Sequence, residues 1–260
     1  MRKIRRELRE LTRSCPRLHK LWLLIRGQYS KKIWPKSNTE LTIAGYARSG
    51  NTYATDQVKS IFPDIKLAHH IHSISLLRES IRCNIPALVI IRDPISVVRS
   101  YALRKNKLYG TGIESAARQA EHDYRIYYNY VRRNDNYFDV VPFDTLVSNT
   151  PKVIGYVAQV TGRDLPTDKV MFERLNTPIR EIARKEPQVL SHKQDFYLTS
   201  SGNLQFNSDL PRANEIGYTP NTERNKMLDA ITDDILTFLD EGRLKKIYNN
   251  VVSLSTLNKR

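Results

Sequence analysis

The sequence is poor in cysteine and has no long apolar run. Its two cysteines, Cys15 and Cys83, cannot build a disulfide framework, and neither stands in a metal-ligand pattern. No apolar run approaches the roughly 20 residues that cross a bilayer. The run LWLLI at residues 21–25 is too short, and too closely flanked by charge, for a secretory signal. These absences predict a protein of the reducing cytoplasm.

Acidic residues are also scarce, with 27 Asp and Glu against 42 Lys and Arg, a net charge of +15. The excess is uneven. Residues 1–38 hold 12 Lys and Arg against Glu7 and Glu10, a net of +10, which leaves +5 for the remainder. We therefore predict a basic N-terminal arm at residues 1–38 and one large domain at residues 39–260. A basic excess attracts anions of many kinds, from nucleotides to lipid headgroups.

Two interpretations of the arm stay open. It is either a solvated basic helix without a specific partner or a peripheral contact with the inner face of a membrane. The second interpretation depends on four apolar residues that share one helical face among the basic residues: Leu18, Leu21, Trp22 and Ile25.

Past the arm, β-prone runs alternate with helical spacing, a pattern that predicts an α/β domain of three layers, with a central parallel sheet flanked by helices. Residues 186–220 are irregular and polar. Thr150 and Gly162 are the expected N-cap and C-terminal stop of one helix. We predict strands at residues 40–47, 64–73, 86–94 and 137–146, and helices at residues 50–61, 74–83, 96–105, 113–133, 150–162 and 220–248.

A glycine loop follows the first predicted strand. In GYARSGNTY, Gly45 and Gly50 have the spacing of a phosphate-binding loop, but Asn51 stands where a nucleoside triphosphatase has its lysine. Successive backbone N–H groups and a helix N-terminus form an anion site, to which Arg48 and Thr52 add side-chain donors. An ordinary turn is the alternative.

A second polar junction follows the most apolar strand, in VIIRDPISVVRS. Arg92 leaves the end of this strand, and Ser100 lies eight residues further on, in the next helix. A cation beside a helix N-terminus suits a second phosphate. Taken alone, the segment fits equally an Asp93 helix cap and an Arg92 surface ion pair.

The ordered pair of motifs resembles the sulfotransferase family that uses 3′-phosphoadenylyl sulfate (PAPS). The family's first motif is a basic residue followed by S-G-T-T-W, and residues 48–53 read RSGNTY. Its second motif is R-x-P with a serine eight residues after the arginine, and Arg92, Pro94 and Ser100 match it. Residues 142–162 are similar to the family's Tyr-Glu-Asp-Leu segment, with Phe143 in place of the tyrosine. The resemblance covers residues 40–165.

The resemblance implies a P-loop-like sulfotransferase fold and roles for single residues. Arg48, Ser49, Gly50, Asn51 and Thr52 would bind the 5′-phosphosulfate, with Arg48 also stabilising the leaving oxygen. Tyr53 would lie near the adenine, and Arg92 and Ser100 would hold the 3′-phosphate. PAPS would be the sulfuryl donor, and no metal is expected. The family closes on the 3′-phosphate with a C-terminal R-K-G-x-x-G loop that this sequence lacks, and SDLPRAN at residues 208–214, with Arg212, is the candidate replacement.

Three of the six histidines lie at residues 69–72, at the expected end of a strand. Histidine is suited to act as a general base near neutral pH; a metal site or a polar strand edge are the alternatives. The family's base follows a K-T-H pattern between its two PAPS motifs. When residues 70–72 are aligned with this pattern, His72 takes the position of the base. Shifting the alignment by two residues gives that position to His70. Strand alternation would let both face the same side, so both remain candidates.

The departures from the family's pattern point to bacterial enzymes that modify glycans or lipids. The tyrosine face of residues 124–131 fits a buried core better than a sugar platform. Two other functions stay open: a small-molecule kinase of the phosphate-loop class, which Asn51 disfavours, and a basic nucleic-acid-binding protein. The concentration of charge in the arm disfavours the latter, and no nucleic-acid partner is expected.

Overall fold

The computed structural model describes residues 11, 14–25, 34–69, 71–165, 196–198, 204–206 and 239–255 of the chain. Four parallel strands form its central sheet, in which the third strand along the chain pairs with the first and the fourth. In chain order these strands are β1 (Leu41–Ala44), β2 (Leu67–Ala68), β3 (Ala87–Ile91) and β4 (Asp139–Pro142). The spatial order is β2-β1-β3-β4.

Helices make the connections that parallel strands require. Strands β5 (Phe196–Leu198) and β6 (Leu204–Phe206) form a second, antiparallel sheet that, among the described residues, has no strand pairing with the main one. The helices are α1 (Pro16–Ile25), α2 (Asn51–Ile61), α3 (Ile74–Arg82), α4 (Pro94–Tyr109), α5 (Ile113–Arg133), α6 (Phe143–Ser148), α7 (Thr150–Thr161) and α8 (Glu241–Val252).

Both faces of the sheet are buried, which explains the continuous apolar run of β3. Leu88 and Ile90 face a cluster that contains apolar residues of α2 and α7. Their neighbours Val89 and Ile91 face the opposite cluster, which contains residues of α3, α5 and α8. Alternate side chains of a strand point to opposite faces. The fold is thus α/β, with a parallel sheet between two helical layers, as the sequence predicts.

Three local predictions need correction. The strand expected at residues 137–146 ends at Pro142, and residues 143–146 belong to helix α6. The strand expected at residues 64–73 is limited to Leu67–Ala68, so His72 lies in the connection to α3 and not in a strand. Helix α7 is capped by Asn149, whose side chain accepts a hydrogen bond from the Lys152 N–H at 3.3 Å. Thr150, the expected cap, instead donates its hydroxyl proton to the Leu146 carbonyl at 2.8 Å.

The described part of the arm packs against the domain. Leu23 and Trp34, each 1% exposed, belong to the core cluster on the α5 side of the sheet. Among the helices that the structure describes, none combines the length and the apolar character that crossing a bilayer requires. Of the helix predicted at residues 220–248, residues 220–238 lie outside the described part, and α8 begins only at Glu241, after its N-cap Asp240.

Candidate functional site

The loop between β1 and α2 has an unusual backbone. Arg48 has a φ of 74° and Gly50 a φ of 98°, both in the left-handed region. The first intrahelical hydrogen bond of α2 runs from the Ala54 N–H to the Gly50 carbonyl at 3.0 Å. The amide groups before Ala54 have no acceptor within the helix. Left-handed residues in front of a helix N-terminus produce a concave backbone suited to an anion.

The Tyr128 hydroxyl, reaching from α5, lies directly beneath this loop. It donates to the Ile90 carbonyl at 2.7 Å and accepts from the Tyr46 N–H at 3.3 Å and from the Ser49 hydroxyl at 3.0 Å. A phenol hydroxyl has one proton and two lone pairs, so these three bonds use all of them. Burial raises the Tyr128 pKa above its usual value. The loop is therefore attached to the end of β3 through one neutral hydroxyl.

Replacing Tyr128 with phenylalanine should lower stability by about 2 kcal/mol, because the buried Tyr46 N–H and Ser49 hydroxyl lose their partner. For a chain of this size the melting temperature should fall by about 4–8 °C. Calorimetry or dichroism of Tyr128→Phe tests this, with Tyr137→Phe as the control, since the Tyr137 side chain is 59% exposed.

A double-mutant cycle separates the hydroxyl network from a general packing defect. In the Tyr128→Phe background, Ser49→Ala removes a hydroxyl that has already lost its partner, so its further cost should be close to zero. Full additivity of the two losses would contradict the network.

The two sequence motifs meet in the structure. The Arg48 Nε–H donates to the Ser100 hydroxyl at 2.9 Å, although 52 residues separate them in sequence. Arg92 Nη1 approaches the Arg48 carbonyl at 3.5 Å, the long limit for a hydrogen bond. Asp93 caps α4 by accepting from the Ser96 N–H at 2.8 Å. The ends of β1 and β3 thus bring two arginines and a serine to one place.

Arg92 lies over an aromatic ring, and among the residues that the structure describes it forms no ion pair. Its guanidinium carbon is 4.6 Å from the centre of the Phe143 ring. Burial lowers the pKa of Arg92, and the nearby carboxylates of Asp144 and Asp93 offset this only in part. The arginine remains charged at neutral pH. A desolvated cation of this kind gains from the arrival of an anion.

Phe143 also touches the glycine loop. A Cβ atom built on Gly50 would lie 2.4 Å from two carbons of the Phe143 ring, so only glycine allows this contact. Tyr53 meets the same ring edge-to-face at 6.3 Å, and its hydroxyl lies 3.4 Å from that of Thr150. Phe143 thus packs between the first motif and Arg92 of the second.

Asn51 and His72 share one carbonyl of the glycine loop. The buried amide Nδ2 is 3.0 Å from the Gly45 carbonyl, 3.2 Å from the Tyr46 carbonyl and 3.1 Å from His72 Nδ1. His72 Nδ1 is in turn 3.1 Å from the Gly45 carbonyl. Because the two amide protons serve the two carbonyls, this network assigns a proton to His72 Nδ1, which donates to Gly45. The lone pair of the ring is then on Nε2, as a general base requires.

The remaining predicted site residues lie in different settings. Ser49 is fully buried and Asn51 is 4% exposed, so their side chains support the loop from within. Tyr53 points to Thr150 at the start of α7. Thr52 lies in the first turn of α2, partly exposed.

His70 and Arg212 lie outside the described residues, and no cluster of three or more metal-ligating side chains occurs among the described ones.

Sequence reasoning missed two residues of this site. Tyr128 was assigned to a buried face, and indeed Tyr124, Tyr127 and Tyr128 are 0–2% exposed. The partners of its hydroxyl, 38–82 residues away, could not be read from the chain. Phe143 was noted only as a replacement in a family segment. The one available signal was general: a buried tyrosine usually finds a hydrogen-bond partner.

The chain is similar to known proteins in structure, whereas comparison of its sequence finds no match. No protein-family model matches the chain, and no curated protein matches it either. Among solved structures, the crystal structure of mouse sulfotransferase SULT7A1 complexed with PAP is similar to this chain, with a TM-score of 0.37 and 13% identity. The match covers 56% of this chain and 66% of that chain, slightly less than two thirds of its length.

Proposed function

We propose that the protein is a sulfotransferase that moves the sulfuryl group of PAPS to a hydroxyl or amine of an acceptor, a glycan or a lipid. The observation that carries this proposal is the meeting of the two motifs, through the 2.9 Å bond between Arg48 and Ser100 and the approach of Arg92 to the Arg48 carbonyl. Two anion-binding motifs that share a bond are suited to one ligand that carries two anionic groups.

The donor set fits such a ligand. The left-handed backbone at Arg48 and Gly50, together with the start of α2, offers N–H groups to the phosphosulfate end. Arg92 and Ser100 offer a guanidinium and a hydroxyl to a second phosphate, and the partly buried cation of Arg92 favours an anion there. The resemblance also assigns Ser49 and Asn51 to the donor, and their buried side chains support the loop from within.

PAPS, when bound, supplies an activated sulfuryl group. Transfer of that group breaks its bond to the phosphate oxygen, which departs with the negative charge. The Nε2 lone pair of His72 is suited to take the proton of the acceptor hydroxyl while its oxygen bonds to sulfur. The Arg48 guanidinium and the amide groups at the start of α2 would stabilise the charge that develops on the leaving oxygen. The Gly45 carbonyl, which accepts from the His72 Nδ1–H, favours the tautomer that this step requires.

Ligand-dependent melting tests the proposal. Adenosine 3′,5′-bisphosphate at about 100 times its dissociation constant should stabilise the native state by about 2.7 kcal/mol. This corresponds to a rise of about 5–10 °C in melting temperature. The rise should be the same with and without magnesium, and Arg92→Ala should remove most of it.

The other two functions give different patterns in the same assay. A small-molecule kinase would respond to ATP with magnesium and not to the bisphosphate. A nucleic-acid-binding protein would respond to an oligonucleotide with strong salt dependence. Either pattern would overturn the proposal.

A further inference from the structure

We propose that helix α1 docks the protein onto an anionic lipid bilayer, with its outward apolar face in the interfacial layer. This face, the α1 outer face, consists of Leu18, Leu21, Trp22 and Ile25. The inference concerns a surface separate from the arginine and histidine site, and it does not depend on sulfuryl transfer.

The opposite face of α1 fixes the helix to the domain. His19 and Leu23, four residues apart, are 6% and 1% exposed. His19 Nδ1 is hydrogen-bonded to the hydroxyls of Ser73, just before α3, and Ser75, within α3. The His19 ring also meets the buried Trp34 ring edge-to-face at 5.6 Å. Because His19 and Leu23 face inward, the helix must turn its other side outward.

The α1 outer face exposes a concentration of apolar surface. Its residues follow the spacing i, i+3, i+4 and i+7, so they share one side of the helix. Their exposed fractions are 42% for Leu18, 54% for Leu21, 38% for Trp22 and 76% for Ile25, and adjacent Leu24 is 51% exposed. These five residues are nearly half of the eleven large exposed apolar residues in the described part of the chain. Such a concentration marks an interaction surface.

Charge decides which partner fits. Arg17 and Lys20 are exposed on α1 itself. No Asp or Glu occurs between Glu10 and Glu40, an interval that contains seven Lys and Arg. A second copy of this chain would bring like charges together, whereas an anionic bilayer offers an apolar layer beneath negative headgroups. A helix that combines Trp and Leu with Lys and Arg is typical of interfacial binding.

Vesicle binding of the whole protein tests the inference. The chain has two tryptophans, and Trp34 is buried. A blue shift of emission on adding phosphatidylglycerol vesicles would therefore report Trp22, and lipids brominated along the acyl chain should quench it. Phosphatidylcholine vesicles should give neither effect. Trp22→Phe should retain binding in co-sedimentation but lose the shift.

Two double variants address the two components of the surface. Arg17→Glu with Lys20→Glu should weaken vesicle binding at least about 30-fold. Leu21→Ser with Trp22→Ser should weaken it about tenfold or more. The matched controls are Arg132→Glu with Arg133→Glu, at the exposed end of α5, and Tyr137→Ser with Val147→Ser, on exposed positions elsewhere. Both controls should bind like the parent.

Several outcomes would overturn the inference. Absence of binding to the anionic vesicles is one. Binding that the apolar variant leaves unchanged is another, because it would mean adsorption by charge alone. A third is a dimer in sedimentation velocity that the apolar variant dissociates, because a second copy would then occupy the face. Loss of bisphosphate stabilisation with normal vesicle binding would overturn only the proposed function.

Discussion

His72→Ala is expected to lower turnover by about 10²–10⁴-fold while binding of adenosine 3′,5′-bisphosphate stays within about twofold of the parent. The reason lies in the network around the ring. His72 Nδ1 donates to the Gly45 carbonyl at 3.1 Å, next to the Asn51 amide, which assigns the lone pair to Nε2. Removing the ring removes the base that we propose but leaves the two arginines. The measurement is single-turnover sulfuryl transfer beside a binding isotherm.

His122→Ala on α5 is the matched control, since His122 lies outside the glycine loop and the segment before α3, and it should retain full activity. Asn51→Ala tests the positioning role of the amide. It should lower kcat more than it raises KM, because the Gly45 carbonyl that orients the histidine loses the amide that fixes it, while the histidine remains present. Full activity in His72→Ala would move the role to His70, and full activity in His70→Ala as well would remove both from the chemistry.

Arg48→Gly is expected to lower kcat/KM by about 10²–10³-fold without a comparable loss of stability. Arg48 has a φ of 74°, which costs most side chains energy but which glycine adopts readily. The greater freedom of glycine in the unfolded chain offsets part of that gain. We therefore expect a free energy of unfolding within about 1 kcal/mol of the parent, together with weaker bisphosphate binding. Kinetics and denaturant unfolding of one variant test both parts.

The choice of glycine separates function from folding, since alanine would retain the backbone cost. Arg104→Ala on α4 removes one exposed positive charge from the next helix and should leave kcat/KM unchanged. Arg48→Lys retains the charge but not the planar fork, so its activity should fall between those of Arg48→Gly and the parent. An Arg48→Gly protein that turns over normally would contradict the assignment of Arg48.

Sequence patterns predicted the elements whose signals are local. The helix expected at residues 113–133 agrees with α5 in both bounds, because 21 residues of helical spacing leave little ambiguity. The apolar run of β3 predicted a strand covered on both faces, and both faces are buried. The strand predicted through the histidines was too long, since β-prone residues at 64–73 pair with β1 only at Leu67 and Ala68.

The sequence predicted which residue types the candidate site contains better than it predicted how their side chains are oriented. Motif spacing singled out Arg48, Arg92 and Ser100, which lie together in the structure. The spacing could not tell which side chains face inward. The Ser49 and Asn51 side chains, for example, face Tyr128 on α5 and two carbonyls of their own loop. Partners of this kind depend on tertiary packing, which a linear motif does not contain.

The dependence of the glycine loop on Tyr128 also has a consequence for biosynthesis. The loop leaves the ribosome well before the hydroxyl that holds it, since 82 residues separate Tyr46 from Tyr128. At roughly 5–20 residues per second, the delay is about 4–16 s. For the first part of that interval the second motif and β3 have not been synthesised, and for the rest the nascent chain carries both motifs without the hydroxyl that bonds the loop to β3. The anion binding that we propose for the loop should therefore arise late in translation, after α5 has emerged.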